Sequence, residues 1–86
     1  MTGLFNLRFK TSVKKDLKAI PRKDVLRILE VLDGLANNPY PSNSKQLVGR
    51  NAWRVRIGVY RVIYTIDNQE VVIEIIKVGP KKDVYR

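Results

Sequence analysis

Arginines at positions 54, 56 and 61 lie inside "NAWRVRIGVYRVIYTI", residues 51–66, and the chain ends in "VGPKKDVYR", which gathers Lys81, Lys82, Tyr85 and Arg86. Guanidinium groups in that number bind anions, since each offers planar bidentate contacts to phosphate and can stack on a base. An arginine stays protonated at physiological pH, so it suits the stabilisation of developing negative charge rather than the removal of a proton. A tyrosine or lysine set among cations is different: neighbouring positive charge lowers its pKa and makes it a better proton acceptor. The chain contains neither histidine nor cysteine. Thiolate chemistry, disulfides and a conventional histidine-built metal site are thereby set aside, and any catalysis must run on Lys, Arg, Tyr and carboxylates.

Seventeen Lys and Arg against eight Asp and Glu give the 86 residues a formal charge of +9. Such a field favours a polyanion: nucleic acid, an anionic membrane surface or an acidic protein. No apolar run approaches the roughly 18 residues that a spanning helix needs, and "MTGLFNLRFK" lacks the layout of a signal peptide. The expectation is a cytoplasmic protein. A chain of this length forms one domain, residues 1–86, and its 44% apolar content suffices for one contiguous core.

The elements that must position the cations follow from periodicity. "LFNLRFK", residues 4–10, alternates with Phe5, Leu7 and Phe9 on one face, as in a half-buried strand. "TSVKKDLKAI" then offers Thr11 and Ser12 as N-caps and places Val13, Leu17 and Ile20 at helical spacing, predicting a short helix to about Ile20. Beyond Pro21, a stripe of Val25, Ile28, Leu29, Leu32, Leu35 and Ala36 predicts a second helix, ending where Asn37 and Asn38 tolerate C-cap geometry and Pro39 and Pro41 cannot continue it. From Trp53 the period changes to two. "WRVRI", "VYRVIYTI" and "VVIEIIKVG" (residues 71–79), separated by Gly58 and by "DNQE", read as three strands of an antiparallel meander. The predicted fold is α+β: an N-terminal strand, a helical hairpin, then the meander, with the helices packed on one face of the sheet.

Period-two geometry then segregates the arginines. With Trp53, Val55 and Ile57 toward the helices, Arg54 and Arg56 fall on the open face. In the next strand Tyr60, Val62, Tyr64 and Ile66 are the core candidates, and Arg61 shares the open face with Ile63 and Thr65. Guanidiniums on adjacent strands repel, so a polyanion or acidic partner is their natural neutraliser, and a tail tyrosine among cations could stack on a base. A solvated basic sheet face and an amphipathic tail residue are the plainer alternatives.

From Lys45 onward, "KQLVGRNAWRVRIGVYRVIYTIDNQEVVIEIIKVGPKKDVYR" resembles the RelE/ParE superfamily of type II toxins, and most closely its RelE branch. The resemblance rests on Leu47 and Gly49 of a loop, on the double strand "WRVRIGVYRVIY" and on the terminal "VGPKKDVY"; the preceding strand and helical hairpin match the family's layout. It implies a RelE-like fold and a metal-independent endoribonuclease, an mRNA interferase that enters the ribosomal A site, uses no cofactor and is held inactive by a cognate antitoxin. Position by position, Arg54, Arg56 and Arg61 match the family's basic sheet residues, Lys81 its tail arginine and Tyr85 its C-terminal tyrosine, which makes these five the catalytic candidates. Lys45, Arg50, Lys82 and Arg86 are the flanking RNA-binding candidates.

Two other readings share the fold. A ParE-like poison of DNA gyrase would use the surface to bind protein, and the tyrosine in a basic tail weighs against it. A catalytically silent RNA- or antitoxin-binding module is favoured by Pro80 and Lys81, which stand where relatives commonly have His or Lys followed by Arg. The acidic antitoxin segment would lie along a strand edge or helix groove and cover the cationic face.

Overall fold

The computed structural model describes residues 4–49 and 51–80. Lys81, Lys82, Tyr85, Arg86 and Arg50, and with them the tail expected beside the sheet, lie outside the described residues.

The N-terminal strand β1 (Asn6–Phe9) passes directly into α1 (Thr11–Lys18). The Lys10 amide makes the last contact of the strand, donating to Ile75 O at 3.0 Å, while Lys10 O accepts from the Val13 amide at 2.9 Å. Lys10 is therefore the N-cap, and no side chain caps the helix. Thr11 and Ser12, expected as caps, are already inside the helix, which also ends at Lys18 rather than near Ile20. The hydrogen bonds of the strand end fixed the start, and no local sequence signal records them.

The second helix, α2 (Arg22–Asn37), follows Pro21 and buries Ile28, Leu32, Leu35 and Ala36. Val25 packs against this core, whereas Leu29 rides the edge of the stripe at 37% exposure. Asn38 caps the C-terminus in an extended conformation and donates to Gly34 O at 3.0 Å. Among the described residues, no helix is long and apolar enough to cross a membrane.

The sheet has five strands. β2 (Ser44–Gln46) was not expected, because three polar residues carry no period; it exists as the edge partner of β3 (Trp53–Ile57). β4 (Tyr60–Asp67) and β5 (Val72–Pro80) complete the expected antiparallel meander, and β1 closes the other edge by running parallel to β5. The order is β1-β5-β4-β3-β2. Gly58, with φ +62°, opens the two-residue turn between β3 and β4, as a primed hairpin turn with Gly first requires. A bulge leaves Ile76 as the extra residue between Ile75, which faces Tyr64, and Lys77, which faces Ile63.

Both helices cover the same face of the sheet. Val13, Ile28, Leu32, Val55, Val62, Tyr64, Ile73 and Ile75 are all wholly buried between the two layers. Two polar anchors hold the layers together. The Tyr64 hydroxyl donates to Pro39 O at 2.8 Å, tying the chain beyond α2 to the centre of the sheet. The Val78 amide, which lies past the end of β1 and so has no strand partner on that side, donates to the Asp16 carboxylate of α1 at 3.2 Å.

Candidate nucleic-acid interface

The face turned away from the helices carries the candidate site. Register places Arg56 directly opposite Arg61, and Arg54 between Lys45 on β2 and Ile63 on β4. The sheet thus holds two like-charge cross-strand pairs, Lys45 with Arg54 and Arg56 with Arg61. Directly opposed side chains have Cβ atoms about 4.5–5.5 Å apart, and like charges at that spacing destabilise a sheet. Arg61 and Arg54 are diagonal neighbours.

The exposures also differ from expectation. Arg56 and Lys45 are exposed and Arg54 is half-buried, but Arg61 keeps only 5% of its surface and is engaged in an interaction within the fold. Arg61 is therefore a held side chain in the floor of the site rather than a solvated one. Its partner across β5 is Gly79, which places no side chain beside it on that flank.

Two hollows of about 310 Å³ each flank Arg56. One is lined by Asn43, Ser44, Lys45 and Arg54, the other by Gly58, Val59, Tyr60 and Arg61. The Asn43 side-chain amide donates to Arg56 O at 3.0 Å and so fixes the first hollow against the strand. On the helix side of the second, the Tyr60 hydroxyl donates to the Asp24 carboxylate at 3.2 Å; burial, then that bond and the Asp24 charge, raise the Tyr60 pKa above its ordinary value. Tyr60 is thus held as a neutral donor.

The open face is not uniformly polar. Ile63 and Ala52 are buried on it, with Leu47 and Ile76 packed against them. This patch seats the loop of residues 47–52, closed by the Leu47 amide donating to Ala52 O at 2.9 Å and turned at Gly49, with φ +73°. The Leu47 and Gly49 of the motif therefore have structural jobs, one as an apolar anchor and one as a turn. The loop stands beside the cations, and Arg50 within it is outside the described residues. Sequence reasoning missed Lys77, which lies opposite Ile63 on the same face. The bulge at Ile76 breaks the alternation that would have flagged it.

Among the described residues, negative charge on this face lies at the far end. Glu74 is paired with Arg8 at 3.6 Å, and the Asp67 carboxylate accepts the Gln69 and Glu70 amides at 2.9 and 3.0 Å. Neither stands opposite Arg54, Arg56 or Arg61. The arrangement can bind an extended polyanion along the strands and can stabilise charge developing on a phosphate beside Arg56 and Arg61.

Comparison with known proteins agrees with this geometry. Residues 7–85 match the family described as the ParE toxin of type II toxin–antitoxin systems. The chain is 33% identical to a toxin candidate, RelE1, of Methanocaldococcus jannaschii, over 95% of this chain and 96% of that one. It is 28% identical to toxin RelG of Mycobacterium tuberculosis, over 95% and 97%. The crystal structure of an archaeal RelE–RelB complex from Pyrococcus horikoshii has a toxin-like fold match with TM-score 0.81 and 32% identity, covering 94% of this chain and 97% of that chain. The family model is named for ParE members, while the relatives similar along almost the whole chain are RelE and RelG. The family match over residues 7–85 and the likeness to RelE along almost the whole chain show that the chain belongs to the toxins of type II toxin–antitoxin systems, on the RelE branch of the RelE/ParE superfamily.

Proposed function

We infer that this toxin is an endoribonuclease that cuts mRNA in the ribosomal A site and is neutralised by a cognate antitoxin. The observation that carries the reading is the register of Arg56 opposite Arg61, beside Arg54 and Lys45, on the sheet face turned away from the helices. Like charges opposed across strands oppose the pairing, and a phosphate between them would offset the repulsion.

In the reaction, a ribose 2′-oxygen attacks the adjacent phosphorus as the 5′-oxygen of the next nucleotide leaves, giving a 2′,3′-cyclic phosphate and a 5′-hydroxyl end. One proton must leave the 2′-hydroxyl and one must reach the 5′-oxygen. Arg61 and Lys81 hold the scissile phosphate and stabilise the doubly charged phosphorane. Tyr85 stacks on a base or exchanges a proton. Arg54 and Arg56 position the backbone or assist proton transfer, and Lys45, Arg50, Lys82 and Arg86 bind flanking phosphates. The relative from P. horikoshii is in complex with RelB. An antitoxin of the same kind, bearing an acidic segment, would silence this chain by covering the cationic face.

The test is primer extension on ribosome-bound mRNA with a defined A-site codon, beside the same mRNA without ribosomes. A new 5′ end inside the A-site codon, formed only with ribosomes and lost in Arg61→Ala and Tyr85→Phe, is the expected result. Wild-type cleavage rates in both variants would refute the assignment of those residues. The name of the matched family favours a second reading, a gyrase poison. Cleaved DNA accumulating with gyrase, while mRNA stays intact, would establish it instead.

A further inference from the structure

The end of the open sheet face away from Arg56 and Arg61 is not used by the cleavage chemistry. In register, Arg8 on β1, Glu74 on β5 and Thr65 on β4 form one row across three adjacent strands. Together with Asn51, Asp67 and Asn68 they line a hollow of about 490 Å³, larger than either hollow beside Arg56 and of a size that takes a small ligand.

The two ends of this face suit different parts of a nucleic acid. Around Arg56 the charged groups are all cations, whereas the far hollow sets one guanidinium, Arg8, against two carboxylates, Asp67 and Glu74, a net −1 among these residues. Such a lining repels a phosphate and instead offers donors and acceptors to the edge of a base. These polar groups are available. Arg8 and Glu74 stand 3.6 Å apart, close enough to attract and too far for a hydrogen bond, with side chains 58% and 33% exposed. Asp67 commits one oxygen to the turn amides of Gln69 and Glu70, and among the described residues no hydrogen bond engages the side chains of Asn51, Thr65 or Asn68.

We propose that this hollow is a base-reading subsite that selects guanine in the bound RNA, with Glu74 as the specificity-determining residue. This rests on the endoribonuclease reading above. A carboxylate presents two acceptors side by side, and of the four RNA bases only guanine presents two adjacent donors, N1–H and the N2 amino group, with the O6 acceptor next to them. Glu74 matches the donors and the Arg8 guanidinium matches O6. Adenine and cytosine bring a ring acceptor beside their amino group, and uracil has one donor between two carbonyls, so each turns an acceptor toward the second carboxylate oxygen. Arg61, Ile63 and Thr65 are alternate residues of β4, which puts the hollow about 13 Å from Arg61. Stacked bases advance by only about 3.4 Å, so the guanine read here is not adjacent to the cleaved bond. A cationic side chain of the antitoxin is the competing occupant.

The probes are three uridine decamers carrying one central guanine, inosine or adenine, inosine being the guanine analogue without the N2 amino group. Each is titrated by fluorescence anisotropy into the full-length wild type, Glu74→Gln and Glu70→Gln, all checked by thermal melting. Glu70→Gln removes the same charge from the neighbouring turn, outside the hollow. Wild type and Glu70→Gln should bind the guanine decamer about tenfold or more tighter than the other two, the discrimination of one bidentate contact, and Glu74→Gln should bring all three within about twofold. On ribosomes, a single guanine moved along the message should raise kcat/KM at one position, inosine at that position should not, and Glu74→Gln should abolish the difference.

Equal affinity of the wild type for the guanine and inosine decamers would overturn the proposal. So would intact discrimination in Glu74→Gln with weakened binding of the cognate antitoxin, which would give the hollow to that protein. Should Glu74→Gln fold poorly, Arg8→Gln, which removes the donor to O6, carries the same comparison. Guanine selection in a protein that never cuts mRNA would keep the subsite and refute the endoribonuclease. Cutting with no preference for guanine would do the reverse.

Discussion

The two faces of β3 and β4 are made from alternate residues of the same strands, and they differ in almost every physical respect. On one side Val55, Ile57, Val62 and Tyr64 are at most 5% exposed and bury their apolar surface against the helices. On the other, Arg56 faces Arg61 and Arg54 faces Lys45, pairs that cost stability. The covered face supplies the free energy of folding through burial, and that surplus lets the opposite face hold an arrangement unfavourable in isolation. A substitution on one side should therefore register in stability, and on the other in activity.

The largest expected effect is on the cationic side. Arg61→Gln should lower single-turnover cleavage of ribosome-bound mRNA by on the order of 100- to 1,000-fold, as loss of one preorganised charge-stabilising donor does. Binding of the antitoxin measured in parallel separates a chemical loss from a misfolded protein. Unimpaired cleavage would mean that Arg61 is a structural cation and that the two faces are less distinct than described.

Across the sheet, Tyr64→Phe should have the opposite profile. It strips the donor from the buried Pro39 carbonyl and should cost about 1–3 kcal/mol by urea denaturation. Cleavage per folded molecule should not change.

Smaller still is the response to pH. Burial raises the pKa of Tyr64, and burial with the Asp24 contact raises that of Tyr60. The folded chain thus retains phenolic protons that the unfolded chain loses near pH 10, so this contribution is present below about pH 10 and fades as pH rises through the folded values. The urea midpoint of the wild type should accordingly fall more between pH 8 and pH 11 than that of a Tyr60→Phe, Tyr64→Phe double variant, which lacks both raised phenols. Parallel declines would show that neither phenol is linked to folding.

The smallest effect belongs to neither face. Val71, at φ +57° in the turn before β5, is a β-branched residue in left-handed backbone. Val71→Asn should stabilise the protein by up to about 1 kcal/mol with unchanged cleavage, because asparagine tolerates that conformation. A loss of stability would mean that Val71, at 36% exposure, contributes more by packing than its backbone costs.

Legibility in the sequence followed the range of the interactions. The α2 stripe and the alternation in "WRVRIGVYRVIY" are periodic over two turns or more, and they gave the helical hairpin, the meander and the side of the sheet on which each arginine lies. The cap of α1 was misread because Lys10 is recruited by a strand partner 65 residues away, Ile75. Lys77 was missed because the bulge shifts the alternation of β5 by one residue. Ile63 was read as an open-face residue, yet the loop from Leu47 to Ala52 covers it.

By itself the sequence determined the chemical means, cations and phenols with no histidine or cysteine, and the segregation of those cations from the core. Period-two backbone geometry dictates that segregation wherever a strand forms. Only the tertiary structure decided that Arg56 meets Arg61, that Arg54 meets Lys45 on an edge strand with no pattern of its own, and that β1 lies beside β5. It also decided the burial of Arg61. Register and burial depend on which distant segments share a surface, and that choice is made by the packing of the whole chain rather than by any window of it.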